Sequence, residues 1–167
     1  MNVETLKQAA EEIKKAKNIF LYGVGSSALV ANYASYRFSR IGMQAKEHTS
    51  SHSIVLSTSI IKKEDLAIFI SQSASTKVIV NAIKEAKKRG AYTILISGHL
   101  LSPAAKESDL IIEAITNESP YESGSVRSLL VQLSIIDALM ATITLKNYDE
   151  LTPVIKSTAE ALKNEKY

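Results

Sequence analysis

Apolar residues recur along this chain in two rhythms, a helical spacing and short unbroken runs, and the two alternate. Val3, Leu6, Ala10 and Ile13 share one face of an opening segment rich in Glu, Lys and Ala, which predicts a helix. NIFLY, residues 18–22, is a continuous apolar run and predicts a strand. Residues 26–41 predict a helix with Leu29, Tyr33 and Tyr36 on its apolar side, ended by Gly42. A short strand is expected over MQAKE, 43–47, and a helix over 51–60. LAIFI, 66–70, predicts the next strand, and 75–89 the next helix, with Ile79, Ala82, Ile83 and Ala86 in register and Gly90 as its stop. YTILIS (92–97) and DLIIEA (109–114) predict two more strands. A long helix over 124–146 follows, and a last one over 152–164 with Pro153 in its first turn.

The predicted strands are short and apolar throughout instead of alternating, as suits a sheet covered on both faces. Strand and helix in strict alternation predict an α/β fold, a three-layer α/β/α sandwich on a five-stranded parallel sheet. No Pro/Gly/Ser linker divides the chain and no internal repeat is visible, so residues 1–167 are read as a single domain. Its core is expected over about 5–146, with the helix at 152–164 added to it.

Composition narrows the function classes. The 167 residues are 46% hydrophobic and 22% charged, ordinary for one globular domain. Net charge is +3, and the lysines fall at the ends or polar faces of predicted helices. No basic stripe interleaved with aromatics offers a nucleic-acid surface. With no cysteine, thiolate chemistry and disulfides are excluded. No run approaches the roughly 18 apolar residues of a membrane span, so no membrane partner is expected and the reading is cytoplasmic.

Two strand-to-helix turns carry the candidate chemistry. YGVGSSALV (22–30) follows the first strand; Gly23 and Gly25 allow a tight turn, and Ser26 and Ser27 open a helix. SQSAST (71–76) follows the third strand and packs Ser71, Ser73, Ser75 and Thr76 around Gln72. In an open parallel sheet, ligands bind beyond the carboxyl ends of the strands, beside helix N-termini. Free N–H groups and rotatable hydroxyls there suit a phosphate, even without a lysine. Serine also caps helices routinely, so one such loop would mean little; two shift the balance towards a site. GVGSSA with Glu47 about 20 residues on also fits a dinucleotide fingerprint, but such a site leaves the second hydroxyl loop without a role. No cofactor is expected.

Residues 19–42, 65–97, 102–112 and 129–139 together resemble the SIS (sugar isomerase) domain, a flavodoxin-like fold that binds phosphorylated sugars. Within it the chain is most similar to the sugar-sensing C-terminal domain of RpiR-type bacterial transcriptional regulators. The resemblance implies that Ser26 and Ser27 supply first-loop hydroxyls, and that Ser71, Ser73 and Thr76 hold the sugar phosphate with Gln72 facing the ligand. It implies a phosphosugar-binding effector domain, with DNA reached only through an upstream helix-turn-helix that these residues do not contain. A stand-alone sugar-phosphate ketol isomerase is the other reading.

The chain also departs from the pattern. Ala74-Ser75 replaces the usual Gly-Glu, and alanine fits there if its φ stays negative. Ser128-Leu129 stands where Ser-Arg is common, with Arg127 nearby. An isomerase needs a base poised over the sugar. Glu47, His52 and Glu122 are the candidates singled out, with His48, His99 and Glu118 behind them and none in a catalytic motif context. His48 and His52 lack the further ligands of a zinc site, so no metal is expected. The long helix is apolar nearly all round, from Leu129 to Ile143, so it is either central to its own domain or buried against a partner; the family resemblance implies pairing, hence a homodimer or higher homo-oligomer. Asp137 within it is expected to be buried and hydrogen-bonded.

Overall fold

The computed structural model describes residues 2–116 and 125–163. Its elements run α1 (Val3–Lys15), β1 (Ile19–Gly23), α2 (Ser26–Arg40), β2 (Ala45–His48), α3 (Ser51–Thr58) and β3 (Leu66–Ile70). They continue with α4 (Lys77–Lys88), β4 (Tyr92–Ser97), α5 (Pro103–Glu107), β5 (Leu110–Glu113), α6 (Val126–Lys146) and α7 (Tyr148–Lys163). The strands form one five-stranded sheet in the order β2-β1-β3-β4-β5, every pair parallel.

The unbroken apolar runs are explained by the two layers of helices. Along β3, Leu66, Ile68 and Ile70 join a core with α1, α2 and α6, while Ala67 and Phe69 join a second core with α3, α4 and α5. Successive side chains point to opposite faces, so a central strand covered on both sides has no polar position, and all five residues of β3 are buried. The edge strand β2 carries Lys46 and Glu47 exposed.

Four expectations need correction. In α2 the buried face is Ser27, Val30, Ala31, Ala34 and Phe38, not the Leu29–Tyr36 side: Leu29 is 58% and Tyr36 51% exposed. The helix buries mostly small residues along its length, with Phe38 near its end, while Leu29 and Tyr36 remain outside. The last helix begins at Tyr148, so Pro153 lies inside it instead of in its first turn. Its N-terminal turn is held by Leu151 N donating to Asn147 O at 2.9 Å, and the helix packs on α2 through Val154 against Gly42 and a Thr158 Oγ1 bond to Arg40 O at 2.9 Å. The short helix α5 is an element that the apolar pattern does not predict; Ser102 caps it, its Oγ accepting from Ala105 N at 3.2 Å.

The fourth concerns α6. Its 21 residues include an 18-residue window of mean hydropathy 1.8, long and apolar enough by composition to cross a membrane, contrary to the sequence reading. Here Ser128, Gln132, Ile135, Ile136, Leu139, Met140 and Ile143 are buried in the domain, the position of a central covering helix. Its other face stays outside: Val126 is 68%, Leu130 57% and Leu145 75% exposed. Asp137 lies on that outer side, exposed, and pairs with Arg37 and the Tyr33 hydroxyl of α2.

Candidate functional site at the carboxyl edge of the sheet

The order β2-β1-β3-β4-β5 reverses direction between β1 and β3. The chain leaves β1 into α2 on one face and leaves β3 into α4 on the other. The two loops therefore diverge from neighbouring strands, paired as Gly23 with Ile70, at the kind of switch point where open α/β sheets bind ligands. Both hydroxyl loops singled out in the sequence open onto this switch point.

The first loop needs its glycines. A Cβ on Gly23 would stand 2.5 Å from Ser27 O, because α2 starts almost on top of the strand end. Gly25 is the N-cap of α2 with φ 61° and ψ −132°, a backbone that side chains disfavour. Having no side chain, it gives the first turn of α2 no cap. Ser26 is half-buried and Ser27 buried in that turn.

The second loop is tied to its own backbone. Ser71 is buried, donates N–H to Ile96 O at 3.0 Å, and its Oγ accepts from Ala74 N at 3.2 Å. Ser75 Oγ donates to Ser73 O at 3.1 Å. Thr76 is the N-cap of α4, yet its side chain makes no capping bond. Ala74 adopts φ 48° and is wholly buried among the α3–α4–α5 core residues. The condition set in the sequence, that alanine fits only with a negative φ, does not hold: the left-handed turn persists without glycine.

Capping separates these two helices from their neighbours. After β2, Ser50 caps α3 by accepting from Ser53 N, in a capping box. After β4, Ser102 caps α5; Asn2 and Ser125 cap α1 and α6. Only α2 and α4, among these six, start without a side-chain cap, and they flank the switch point. Ala28 N and Ile79 N turn back to the Gly25 and Thr76 carbonyls at 3.1 and 3.0 Å, and the first-turn N–H groups of Ser26, Ser27, Lys77 and Val78 receive no side-chain cap.

The other candidates are more scattered. Gln72 turns its amide away, to Thr116 Oγ1 at 2.7 Å and Gln132 Nε2 at 3.0 Å. Glu47 is exposed on β2 and His52 exposed in the first turn of α3. His48 ends β2, stacked 5.6 Å from the Tyr22 ring and 5.9 Å from Phe20. Burial, and then Lys46, push its imidazole below the ordinary value. Tyr22, wholly buried, has its phenol pushed well up, chiefly by the same desolvation. Glu118 and Glu122 lie outside the described residues. Among the described residues no cluster of three metal-ligating side chains exists. On the β4 side, Ser73 and Ser75 border an open cavity of about 660 Å³ with Gly98, His99, Ser102 and Glu113, within the size range of small-molecule sites.

Two contributors to the loop escaped sequence reasoning. Gly98 leaves room for the Gln72 amide: a Cβ there would meet Gln72 Nε2 at 2.2 Å and displace it. Gln132 was signalled only as a lone amide in the apolar run LLVQLSII.

Comparison with known proteins adds the following. Residues 12–142 match the SIS domain family. The chain is 36% identical over 97% of its length to an uncharacterized HTH-type transcriptional regulator of Caldanaerobacter subterraneus subsp. tengcongensis, covering 57% of that protein. It is 28% identical over 90% of its length to the HTH-type transcriptional regulator RpiR of Escherichia coli K12, covering 51% of it. The chain thus spans little more than half the length of these relatives. The Vibrio vulnificus NanR protein complexed with ManNAc-6P superposes with a TM-score of 0.92 at 28% identity, over 99% of this chain and 62% of that one.

Proposed function

This chain belongs to the SIS domain family, and on that premise we propose that it is the phosphosugar-binding effector domain of an RpiR-type transcriptional regulator. The observation that carries the reading is the pair of uncapped helix N-termini, α2 and α4, meeting at the β1/β3 switch point. Two helix N-termini without side-chain caps, with their partial positive charge, favour a dianion there. The hydroxyls of Ser26, Ser27, Ser71, Ser73 and Thr76 add donors that rotate to meet phosphate oxygens. The likeness to a NanR protein solved with ManNAc-6P supports the same ligand class.

Regulation would run through assembly. Val126, Leu130 and Leu145 on α6, with Leu29 on α2, form exposed apolar positions that suit a homo-oligomer contact. DNA would be reached by a helix-turn-helix unit outside these residues, as the HTH-type relatives suggest.

A calorimetric panel of hexose, pentose and amino-sugar phosphates against their unphosphorylated sugars tests the reading. Phosphorylated members should bind and the others should not. Ser73→Ala should weaken binding about ten-fold or more, the loss of one charge-assisted bond, with the fold intact. Unchanged affinity would remove Ser73 from the site. Proton exchange at C1 or C2 of the bound sugar, followed by NMR, would instead favour a ketol isomerase.

A further inference from the structure

Gln72 stands between the loop hydroxyls Ser71 and Ser73, yet its side chain leaves the loop. Nε2 donates to Thr116 Oγ1 at 2.7 Å and to Ala114 O at 3.4 Å. A carbonyl can only accept, so the amide orientation is fixed and Oε1 is left to accept from Gln132 Nε2 at 3.0 Å. The main-chain oxygen of Gln72 accepts from Gly98 N and from Ser97 Oγ, both at 3.2 Å. One loop residue therefore joins the ends of β4 and β5 to α6.

Gln132 is 2% exposed, on a helix whose other buried residues include Ile135, Ile136 and Leu139. An apolar side chain would fill that place without desolvating an amide. What the amide adds is a fixed partner for Gln72. The outer side of the same helix carries the exposed Leu130 and Val126.

We propose that Gln132 is a positioning residue of the loop: by holding Gln72 it sets Ser71 and Ser73, and it couples anion occupancy of the loop to the seating of α6. The proposal rests on the anion-site reading above. Coupling of this kind is reciprocal, so whatever α6 packs against would also tune the loop.

The test is titration of inorganic phosphate and of N-acetylmannosamine 6-phosphate into the wild type, Gln132→Met, Gln72→Met and the double variant. Methionine keeps the length and loses the hydrogen bonds. Each single variant should bind about ten-fold more weakly, and the double variant no more weakly than the worse single one, since both cut one link. A merely structural role would lower the denaturation midpoint and leave the affinity of the folded protein unchanged, which overturns the proposal. Should the glutamine variants fail to fold, Thr116→Val, at a half-buried position, removes the acceptor that orients the Gln72 amide towards Gln132; undiminished affinity there would show that the orientation of Gln72 does not set the loop, which overturns the proposal equally. A wild type that binds neither probe overturns the anion site together with the coupling; normal binding in the variants overturns the coupling alone.

Discussion

Replacing Ala74 with glycine probes the loop where the chain departs from its family's usual Gly-Glu. Ala74 holds φ 48° with its methyl fully buried, its N–H on Ser71 Oγ and its carbonyl accepting from Ala104 N at 3.1 Å. Releasing an alanine from the left-handed region regains about 1 kcal/mol. Glycine, however, adds about 0.5–1 kcal/mol of unfolded-state freedom. Losing a buried methyl removes about 0.8 kcal/mol more. The net is a destabilisation of about 0.5 kcal/mol, since strain relief nearly offsets the other two. Because alanine already adopts the left-handed turn, the loop N–H groups point the same way in both proteins, and phosphosugar affinity should agree within about two-fold. Urea denaturation with a shared m-value reads the first quantity, and calorimetric titration the second. A stability change beyond about 2 kcal/mol in either direction, or a gain in affinity of ten-fold or more, would refute the reasoning.

Three further outcomes follow from the same geometry. Gly98→Ala should destabilise by about 1–3 kcal/mol in denaturant, because its Cβ evicts the Gln72 amide from its bonds; a neutral result would mean that those bonds contribute nothing. His48 has a depressed folded-state value, so the unfolded chain takes up the proton first. Its contribution is complete above the ordinary imidazole value of 6.5 and is lost as pH falls through the folded value. The wild-type midpoint should therefore fall more than that of His48→Phe between about pH 7.5 and 5.5, and parallel curves would contradict this. Leu130→Glu, at a position 57% exposed, should leave the fold intact and shift sedimentation towards monomer; a wild type already monomeric at tens of micromolar would end the oligomer reading.

Much of the architecture was legible locally because the signals are local. A covered parallel strand must be apolar at every position, as LAIFI is, and a helix on a sheet must repeat its apolar residues, as Ile79, Ala82, Ile83 and Ala86 do. Gly90 and Gly42, both at positive φ, mark helix ends that the chain announces by residue type. The same logic misled at α2 and α7. Hydrophobicity alone cannot say that alanines, not Leu29 and Tyr36, face the sheet, and a proline inside a helix reads like one at its start.

The candidate site divides along the same line. Sequence by itself determined the order of the five strands and the longer helices, though not α5, and the two hydroxyl-rich turns, since strand, helix and turn preferences act within a few residues. Only tertiary structure decided that β1 and β3 are neighbours, so that the turn of Ser26 and Ser27 and the turn of Ser71, Ser73 and Thr76 leave adjacent strands. It also decided that Ala74 takes a left-handed backbone, and that Gln72 turns to partners 44 and 60 positions away. Strand order and long-range hydrogen bonds are settled by which packed arrangement buries both faces of the sheet at once, and no stretch of a few residues carries that information.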